Sequence, residues 1–173
     1  MVALAAHLTF IHSTGNFGTV VAGEAYRSAQ VTPESIARLH REYGVTSILN
    51  LRGAHPGQPW YDDELRASAA LGIVHADFAM SASKAIGTAE AAELIALMEA
   101  LPKPLLIHCR HGSDRTGLAS ALYLAAIAGA GELKAERALS VRYGHFAIPW
   151  LSAAWPMSES FEKLEPWLGF ENS

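Results

Sequence analysis

A single cysteine and an arginine six positions after it are the residues of this chain best suited to covalent chemistry. Cys109 is the only cysteine among the 173 residues, and Arg115 follows it within residues 108–117, which read HCRHGSDRTG. Gly112 permits the backbone angles that turn successive N–H groups inward, so this segment can form a concave anion site. The guanidinium of Arg115 can fold back over that concavity and hold two oxygens of a tetrahedral anion.

The predicted surroundings of Cys109 favour a reactive sulfur over an inert one. A short apolar strand, 105–107, ends just before it, and a helix is predicted from Thr116 to Ala128. The positive end of that helix and the neighbouring cations favour the thiolate, which is the nucleophilic form of the side chain. Thr116 can donate a hydrogen bond to the thiolate and help it leave later as sulfur. The segment therefore predicts a nucleophilic cysteine in an anion-binding loop.

The composition restricts the other classes of function. Half of the residues are hydrophobic and 17% are charged, which is typical of one globular domain and excludes a disordered chain. A net charge of −4 argues against a general nucleic-acid binder, because phosphate contacts would require a basic surface. A single cysteine excludes both an internal disulfide framework and a multi-thiolate metal cluster.

The start of the chain is apolar but does not resemble a signal peptide, because no basic residues precede the run MVALAAHLTF and no clear cleavage site follows it. We predict an N-terminal extension over residues 1–15 and one domain over residues 16–173. A cytoplasmic protein is favoured. A membrane-anchored or periplasmic protein is the alternative, and membrane contact is expected only if the run is the stub of a longer anchor.

Extended and helical segments alternate, which predicts an α/β fold whose largely parallel central sheet is flanked by α-helices. Strands are predicted at 19–21, 25–27, 45–51, 73–78 and 105–107, and helices at 33–44, 61–71, 89–101, 116–128 and from 131 onward. In such sheets ligands bind beyond the carboxyl ends of the strands, so the loop after 105–107 is the expected site. The tryptophans, with Trp150, Trp155 and Trp167 near the carboxyl terminus, are expected in the core.

Residues 108–117 resemble the signature of the cysteine-based protein tyrosine phosphatase superfamily, in which His-Cys is followed after five residues by Arg-Thr-Gly. Residues 26–30 (YRSAQ) and 48–52 (ILNLR) are similar to early segments of the compact dual-specificity-like phosphatases of bacteria, plants and fungi. The resemblance covers roughly residues 16–130. It implies a protein tyrosine phosphatase-like, dual-specificity-like fold. It also implies hydrolysis through a phosphocysteine intermediate, with no metal and no cofactor.

The resemblance also implies a role for each residue of the loop and for some of its neighbours. The substrate phosphate is expected to lie against Arg110, His111, Gly112, Ser113, Asp114 and Arg115. His108 is expected to stay buried and orient the loop, and Arg52 to support the site from the end of its strand. Arg27 and Gln30 are expected to brace the fold nearby.

Two aspartates compete for the role of the acid that protonates the leaving group. Asp77 lies 32 residues before Cys109, and this spacing resembles the mobile acid loop of small dual-specificity phosphatases. Asp114 lies inside the loop, as in myotubularin-type lipid phosphatases and in bacterial enzymes with a Gly-Lys-Asp-Arg-Thr loop. This chain has Ser113 in place of that lysine, and the sequence favours Asp77 slightly.

The favoured function is hydrolysis of phosphotyrosine in proteins, with dual specificity as an extension. A phosphoinositide or inositol phosphate phosphatase is the alternative, although the loop lacks the pair of basic residues of the phosphoinositide type. A non-catalytic phosphate-binding module and a rhodanese-like sulfur transferase are alternatives from other classes. The expected partner is a phosphorylated protein or a small phosphate ester.

Overall fold

In the computed structural model of the chain, which describes residues 7, 9, 11 and 13–170, the strands form one five-stranded sheet of order β1-β2-β5-β3-β4. The strands are β1 (Gly18–Val21), β2 (Ala25–Ser28), β3 (Ser47–Asn50), β4 (Val74–Asp77) and β5 (Leu105–His108). The β1–β2 pair is antiparallel, and the other three pairs are parallel. The predicted α/β class with a largely parallel centre is confirmed.

The helices connect these strands and cover both faces of the sheet. They are α1 (Pro33–Tyr43), α2 (Pro59–Ala70), α3 (Thr88–Ala100), α4 (Asp114–Leu122), α5 (Glu132–Glu136) and α6 (Trp155–Leu164). A π-helical turn (Tyr123–Ile127) extends α4, and a 3-10 turn (Val141–Tyr143) follows α5. Within the described residues, none of the helices is long and apolar enough to cross a bilayer.

The ends of several elements differ from the prediction. Helix α4 starts two residues earlier than predicted, because the N–H of Gly117 already donates to the carbonyl of Ser113 at 2.8 Å. The helix predicted from 131 onward is limited to the short α5 and the 3-10 turn. Helix α1 begins and ends as predicted, since the Thr32 side chain caps its first turn and Gly44 adopts a left-handed conformation (φ 68°) after its last.

Strand β5 lies at the centre of the sheet, between β2 and β3, and is buried on both faces. Leu105 and Ile107 pack into the larger core cluster, with side chains of α3, α4 and α6. Leu106 points to the opposite face and packs against α1. His108 is level with the last residues of β2 and β3, so the loop after β5 emerges between two neighbouring strand ends.

The prediction that the tryptophans are core residues is wrong, because none of the four is buried. Trp150 is 90% exposed and Trp167 is 47% exposed. Trp150 lies before α6 in an irregular segment, with its ring centroid 6.4 Å from that of Trp155. Ring size alone does not place a residue in the core when its segment lies outside both helical layers. The predicted extension 1–15 falls largely outside the described residues.

Candidate active site

The loop between β5 and α4 is fixed by donors that hold four successive carbonyl groups. Gln30 N–H donates to the Arg110 carbonyl at 3.3 Å, and Asn16 Nδ2 donates to the His111 carbonyl at 2.9 Å. One guanidinium nitrogen of Arg27 donates to the carbonyls of the next two residues, Gly112 (2.8 Å) and Ser113 (3.4 Å).

These four bonds determine where the N–H groups of the loop point. In a trans peptide the C=O of one residue and the N–H of the next point in opposite directions. Because the carbonyls of residues 110–113 are held towards their donors, the N–H groups of residues 111–114 turn the other way. They turn towards the side of the loop that faces away from these donors, as the anion-site prediction requires.

Gly112 is required by both conformation and space. Its φ of +70° lies in the left-handed region, where other residues are strained. A Cβ at this position would lie 2.7 Å from the Ala29 nitrogen and 2.7 Å from the Ser28 carbonyl oxygen, which are backbone atoms that cannot rotate away. The loop therefore packs directly against the backbone that follows β2.

Arg27 is 1% exposed and connects the loop to the rest of the fold. Besides the two loop carbonyls, it donates to the Ala138 carbonyl at 2.8 Å, and its guanidinium lies 3.8 Å from the ring centroid of Tyr143. Burial lowers the pKa of Arg27 to about 10, while the phenol of Tyr143 and the sulfur of Cys109 oppose this shift. Arg27 therefore remains charged at neutral pH and brings a buried positive charge close to Cys109.

Cys109 and Arg115 lie on either side of this loop. Cys109 is buried at the end of β5, and the buried hydroxyl of Thr116 has no hydrogen-bond partner within the described part of the chain. Arg115 is anchored by one guanidinium nitrogen, which donates to the carbonyls of Leu51 (3.3 Å) and Met80 (3.2 Å). Its other guanidinium nitrogens can then bind oxygens of an anion.

A buried carboxylate binds His108, the residue that precedes Cys109. Glu64 of α2 is fully buried, and its Oε1 lies 2.8 Å from Nε2 of His108 and 2.8 Å from Nε2 of His75. Burial disfavours its negative charge, but the two histidines outweigh that effect and hold the pKa of Glu64 at about 2. Since an ionised carboxylate only accepts hydrogen bonds, both ring nitrogens are donors.

Hydrogen bonds connect the carboxylate of Glu64, through Gln30, to Arg52 at the rim of the site. Glu64 Oε2 accepts from Gln30 Nε2 at 2.6 Å, and Gln30 Oε1 accepts from Arg52 at 2.6 Å. The guanidinium of Arg52 also lies 3.3 Å from the ring centroid of Trp60. Burial, followed by repulsion from Arg115 and Arg110, lowers the pKa of Arg52. Arg52 thus lies within electrostatic range of both Arg115 and Arg110.

Asp77 lies at the end of β4 and both of its oxygens accept hydrogen bonds. Asn50 Nδ2 donates to Oδ1 at 2.8 Å, and the hydroxyl of Tyr61 donates to Oδ2 at 2.5 Å. Burial, together with the hydrogen bond to Asp77, raises the pKa of Tyr61 to about 12, so the phenol stays protonated and remains a donor.

Asp114 lies at the first position of α4 and is bound on one side only. Its Oδ1 lies 2.8 Å from Nδ1 of the buried His145, whose Nε2 lies 2.9 Å from the hydroxyl of Ser158. Asp114 also lines a cleft of about 560 Å³ together with His111 and Ser113. This cleft lies beside the loop, and Cys109 is not among the residues that line it.

Several residues that were singled out from the sequence lie at or near this loop, and their roles stay predictions. His108 is buried, Arg27 and Gln30 bind the loop, and Arg110 and His111 are exposed at the rim. The residues that sequence reasoning missed are Asn16, Glu64, Tyr143 and His145. Glu64 had a signal, because it lies on the buried face of α2 at helical spacing from Tyr61 and Ser68. The other three are distant in sequence from the loop and carry no signal.

The comparison with known proteins agrees with the predicted resemblance. A model of the tyrosine phosphatase family matches residues 12–133, which is more than half of the chain. The fold of this chain is similar to that of TpbA from P. aeruginosa, with a TM-score of 0.68. The two sequences are 20% identical, and the match covers 92% of this chain and 93% of TpbA. TpbA has also been crystallised as a variant in complex with pTyr, and that structure has a TM-score of 0.69.

Two further solved structures share this fold. The core catalytic domain of the PP-IP phosphatase SIW14 from S. cerevisiae, in complex with citrate, is 21% identical over 91% of this chain and 94% of that domain (TM-score 0.63). Human DUSP28 is 18% identical over 87% of this chain and 96% of its own (TM-score 0.58). No curated protein sequence matches significantly. The predicted protein tyrosine phosphatase-like fold is confirmed.

The low pKa of Glu64 predicts a specific loss of stability in acid. Its folded-state pKa of about 2 lies below the ordinary 4.5, so its contribution is complete above about pH 4.5 and is lost as the pH falls through about 2. The difference corresponds to about 3 kcal/mol of unfolding free energy. We expect Glu64→Gln to remove this part of the pH dependence, measured by urea unfolding between pH 7 and pH 2.5. Glu42→Gln, an exposed control on α1, should keep the wild-type slope, and an unchanged slope in Glu64→Gln would contradict the assignment.

Proposed function

The chain belongs to the tyrosine phosphatase family, and we propose that it is a cysteine-dependent phosphomonoesterase whose preferred substrate is phosphotyrosine in proteins. The observation that carries the proposal is that outside donors hold the carbonyls of residues 110–113, which turns the following N–H groups to the other side of the loop between Cys109 and Arg115. Arg115 itself is anchored to the carbonyls of Leu51 and Met80. Preorganised donors of this kind stabilise a phosphoryl group as charge spreads over its oxygens during transfer.

The proposed reaction has two steps. In the first, the Cys109 thiolate attacks phosphorus, an S–P bond forms, and the P–O bond to the leaving group breaks. An aspartic acid transfers its proton to the departing oxygen. In the second step a water molecule attacks phosphorus, gives a proton to the same aspartate, and releases phosphate and the thiolate. The unpartnered hydroxyl of Thr116 is proposed to donate to the departing sulfur.

Hydrogen bonding favours Asp114 as the acid, in departure from the slight preference of the sequence for Asp77. Both oxygens of Asp77 already accept hydrogen bonds, from Asn50 and Tyr61, so neither is free to pass a proton to a leaving group. Asp114 accepts one side-chain hydrogen bond, from His145, and within the described residues its Oδ2 has no side-chain partner. It is also directly adjacent to Arg115. We propose that Asp77 instead orients Asn50 and Tyr61.

A second substrate class is favoured by one observation. Arg115 and Arg110 lie within electrostatic range of Arg52, and such a group can bind a second anionic substituent on the substrate. An inositol phosphate or a phosphoinositide carries such substituents. Phosphotyrosine remains the first proposal because TpbA, whose fold is similar, was crystallised as a variant with pTyr.

The cysteine mechanism predicts complete dependence on one sulfur. With p-nitrophenyl phosphate as substrate and EDTA present, we expect Cys109→Ser and Arg115→Lys to lower kcat/KM by more than about 1000-fold. Arg38→Lys, an exposed matched control on α1, should behave like the wild type. Thermal unfolding shows whether each variant is folded. Turnover that survives in a folded Cys109→Ser would exclude the mechanism, and sulfur transfer from thiosulfate would favour a rhodanese-like enzyme instead.

The identity of the acid is tested with two leaving groups. We expect Asp114→Asn to lower kcat/KM for phenyl phosphate by about 100-fold or more and to flatten the basic limb of its pH profile. The loss for p-nitrophenyl phosphate should be much smaller, because p-nitrophenolate leaves without a proton. Asp77→Asn should lower kcat/KM for phenyl phosphate and for p-nitrophenyl phosphate by the same factor. The reverse pattern would assign the acid to Asp77, and unchanged profiles in both variants would exclude both residues.

Substrate preference is tested by comparing a phosphotyrosine peptide with inositol phosphates. We expect the peptide to have the higher kcat/KM in the wild type. Arg52→Met is expected to lower kcat/KM for inositol phosphates by at least about tenfold and to affect p-nitrophenyl phosphate little, since that substrate has no second anionic group. A higher kcat/KM for inositol phosphates than for every peptide would overturn the first proposal in favour of the second.

A further inference from the structure

A second basic cavity lies between β1, α4 and α5, separate from the catalytic loop. Its volume is about 280 Å³, and none of residues 108–117 lines it. Its lining includes Thr19 and Val20 of β1, Lys134 of α5, and Arg142 and Tyr143 of the 3-10 turn. The family match and the proposed mechanism assign nothing to this cavity.

Three exposed cations surround the cavity without acidic partners. Lys134, Arg137 and Arg142 all line it, and none of them forms an ion pair with a described acidic side chain. No aspartate or glutamate is among the described residues that line it. In a chain of net charge −4, this local excess of positive charge is unusual and attracts anions to one place.

Arg27 adds a fourth, buried positive charge to the cavity wall. All the hydrogen bonds of its guanidinium described above go to backbone carbonyls, and its Nε has no partner within the described residues. A buried cation without a carboxylate partner is costly unless a nearby negative charge compensates it. An anion in this cavity would supply that charge without a new contact in the catalytic loop, because none of residues 108–117 lines the cavity.

We propose that this cavity is a binding site for a small oligoanion of the phosphate class, with a diphosphate group as the minimal ligand. Arginine binds phosphate oxygens through paired donors, and two arginines and a lysine can bind more than one phosphate group. A water molecule takes up about 30 Å³, so the cavity of about 280 Å³ has room for a diphosphate group.

The experiment uses inorganic pyrophosphate as the probe and Cys109→Ser protein, which cannot turn it over. We expect isothermal titration at low ionic strength to reveal two sites, one in the catalytic loop and one in the cavity. Arg137→Glu with Arg142→Glu should weaken the cavity site by about tenfold or more and leave the loop site intact. Arg115→Met should do the opposite, so that the two sites are assigned independently.

The control is Arg38→Glu with Arg41→Glu, an equal change of charge on α1, which should weaken neither site. Orthophosphate should bind the cavity more weakly than pyrophosphate, and acetate should not compete. The proposal is overturned if no pyrophosphate site is found besides the one that Arg115→Met weakens, if the cavity variants bind pyrophosphate as the parent does, or if the α1 control weakens binding equally. Equal competition by acetate would show general screening in place of recognition of phosphate.

Discussion

The direction of four carbonyl groups is the constraint on which the site depends. The carbonyls of residues 110–113 accept hydrogen bonds from donors outside the loop. Because the peptides are planar and trans, the N–H groups that follow these carbonyls point to the opposite side. Arg27 makes two of these bonds from a buried position. The loop is therefore shaped before any substrate arrives, and little reorganisation is needed when a phosphate binds.

Several hydrogen-bonded side chains together compensate the buried negative charge of Glu64. Glu64 is fully buried and ionised, and its two oxygens bind His108, His75 and Gln30. Removal of any one partner would leave a buried charge or polar atom unsatisfied, which is expensive in a low-dielectric interior. The network fixes the end of β5 relative to α2, and through Gln30 it fixes Arg52 at the rim.

The electrostatics of this protein are local. The chain is acidic overall, yet Arg110 and Arg115 lie within electrostatic range of Arg52, and Lys134, Arg137 and Arg142 surround the second cavity. Arg27 contributes to both places, since it binds the catalytic loop and lines the cavity. Positive charge concentrated in a concave place attracts small anions even when the chain as a whole is acidic.

The sequence by itself determined the class of fold and the position of the loop after β5. The apolar run 105–107, Gly112, and the spacing of Cys109 and Arg115 are local patterns, and each follows from properties of neighbouring residues. The burial of His108 and the supporting positions of Arg27 and Gln30 also agree with the expectation from the family resemblance.

Tertiary structure alone decided which distant side chains complete the site. Asn16, Tyr143 and His145 approach the loop from either end of the described chain, and no local pattern connects them to it. The same holds for the donors around the two aspartates, which come from residues distant in sequence from each of them. Trp150 is exposed for a related reason: burial depends on what packs against a side chain, and packing is a property of the assembled fold.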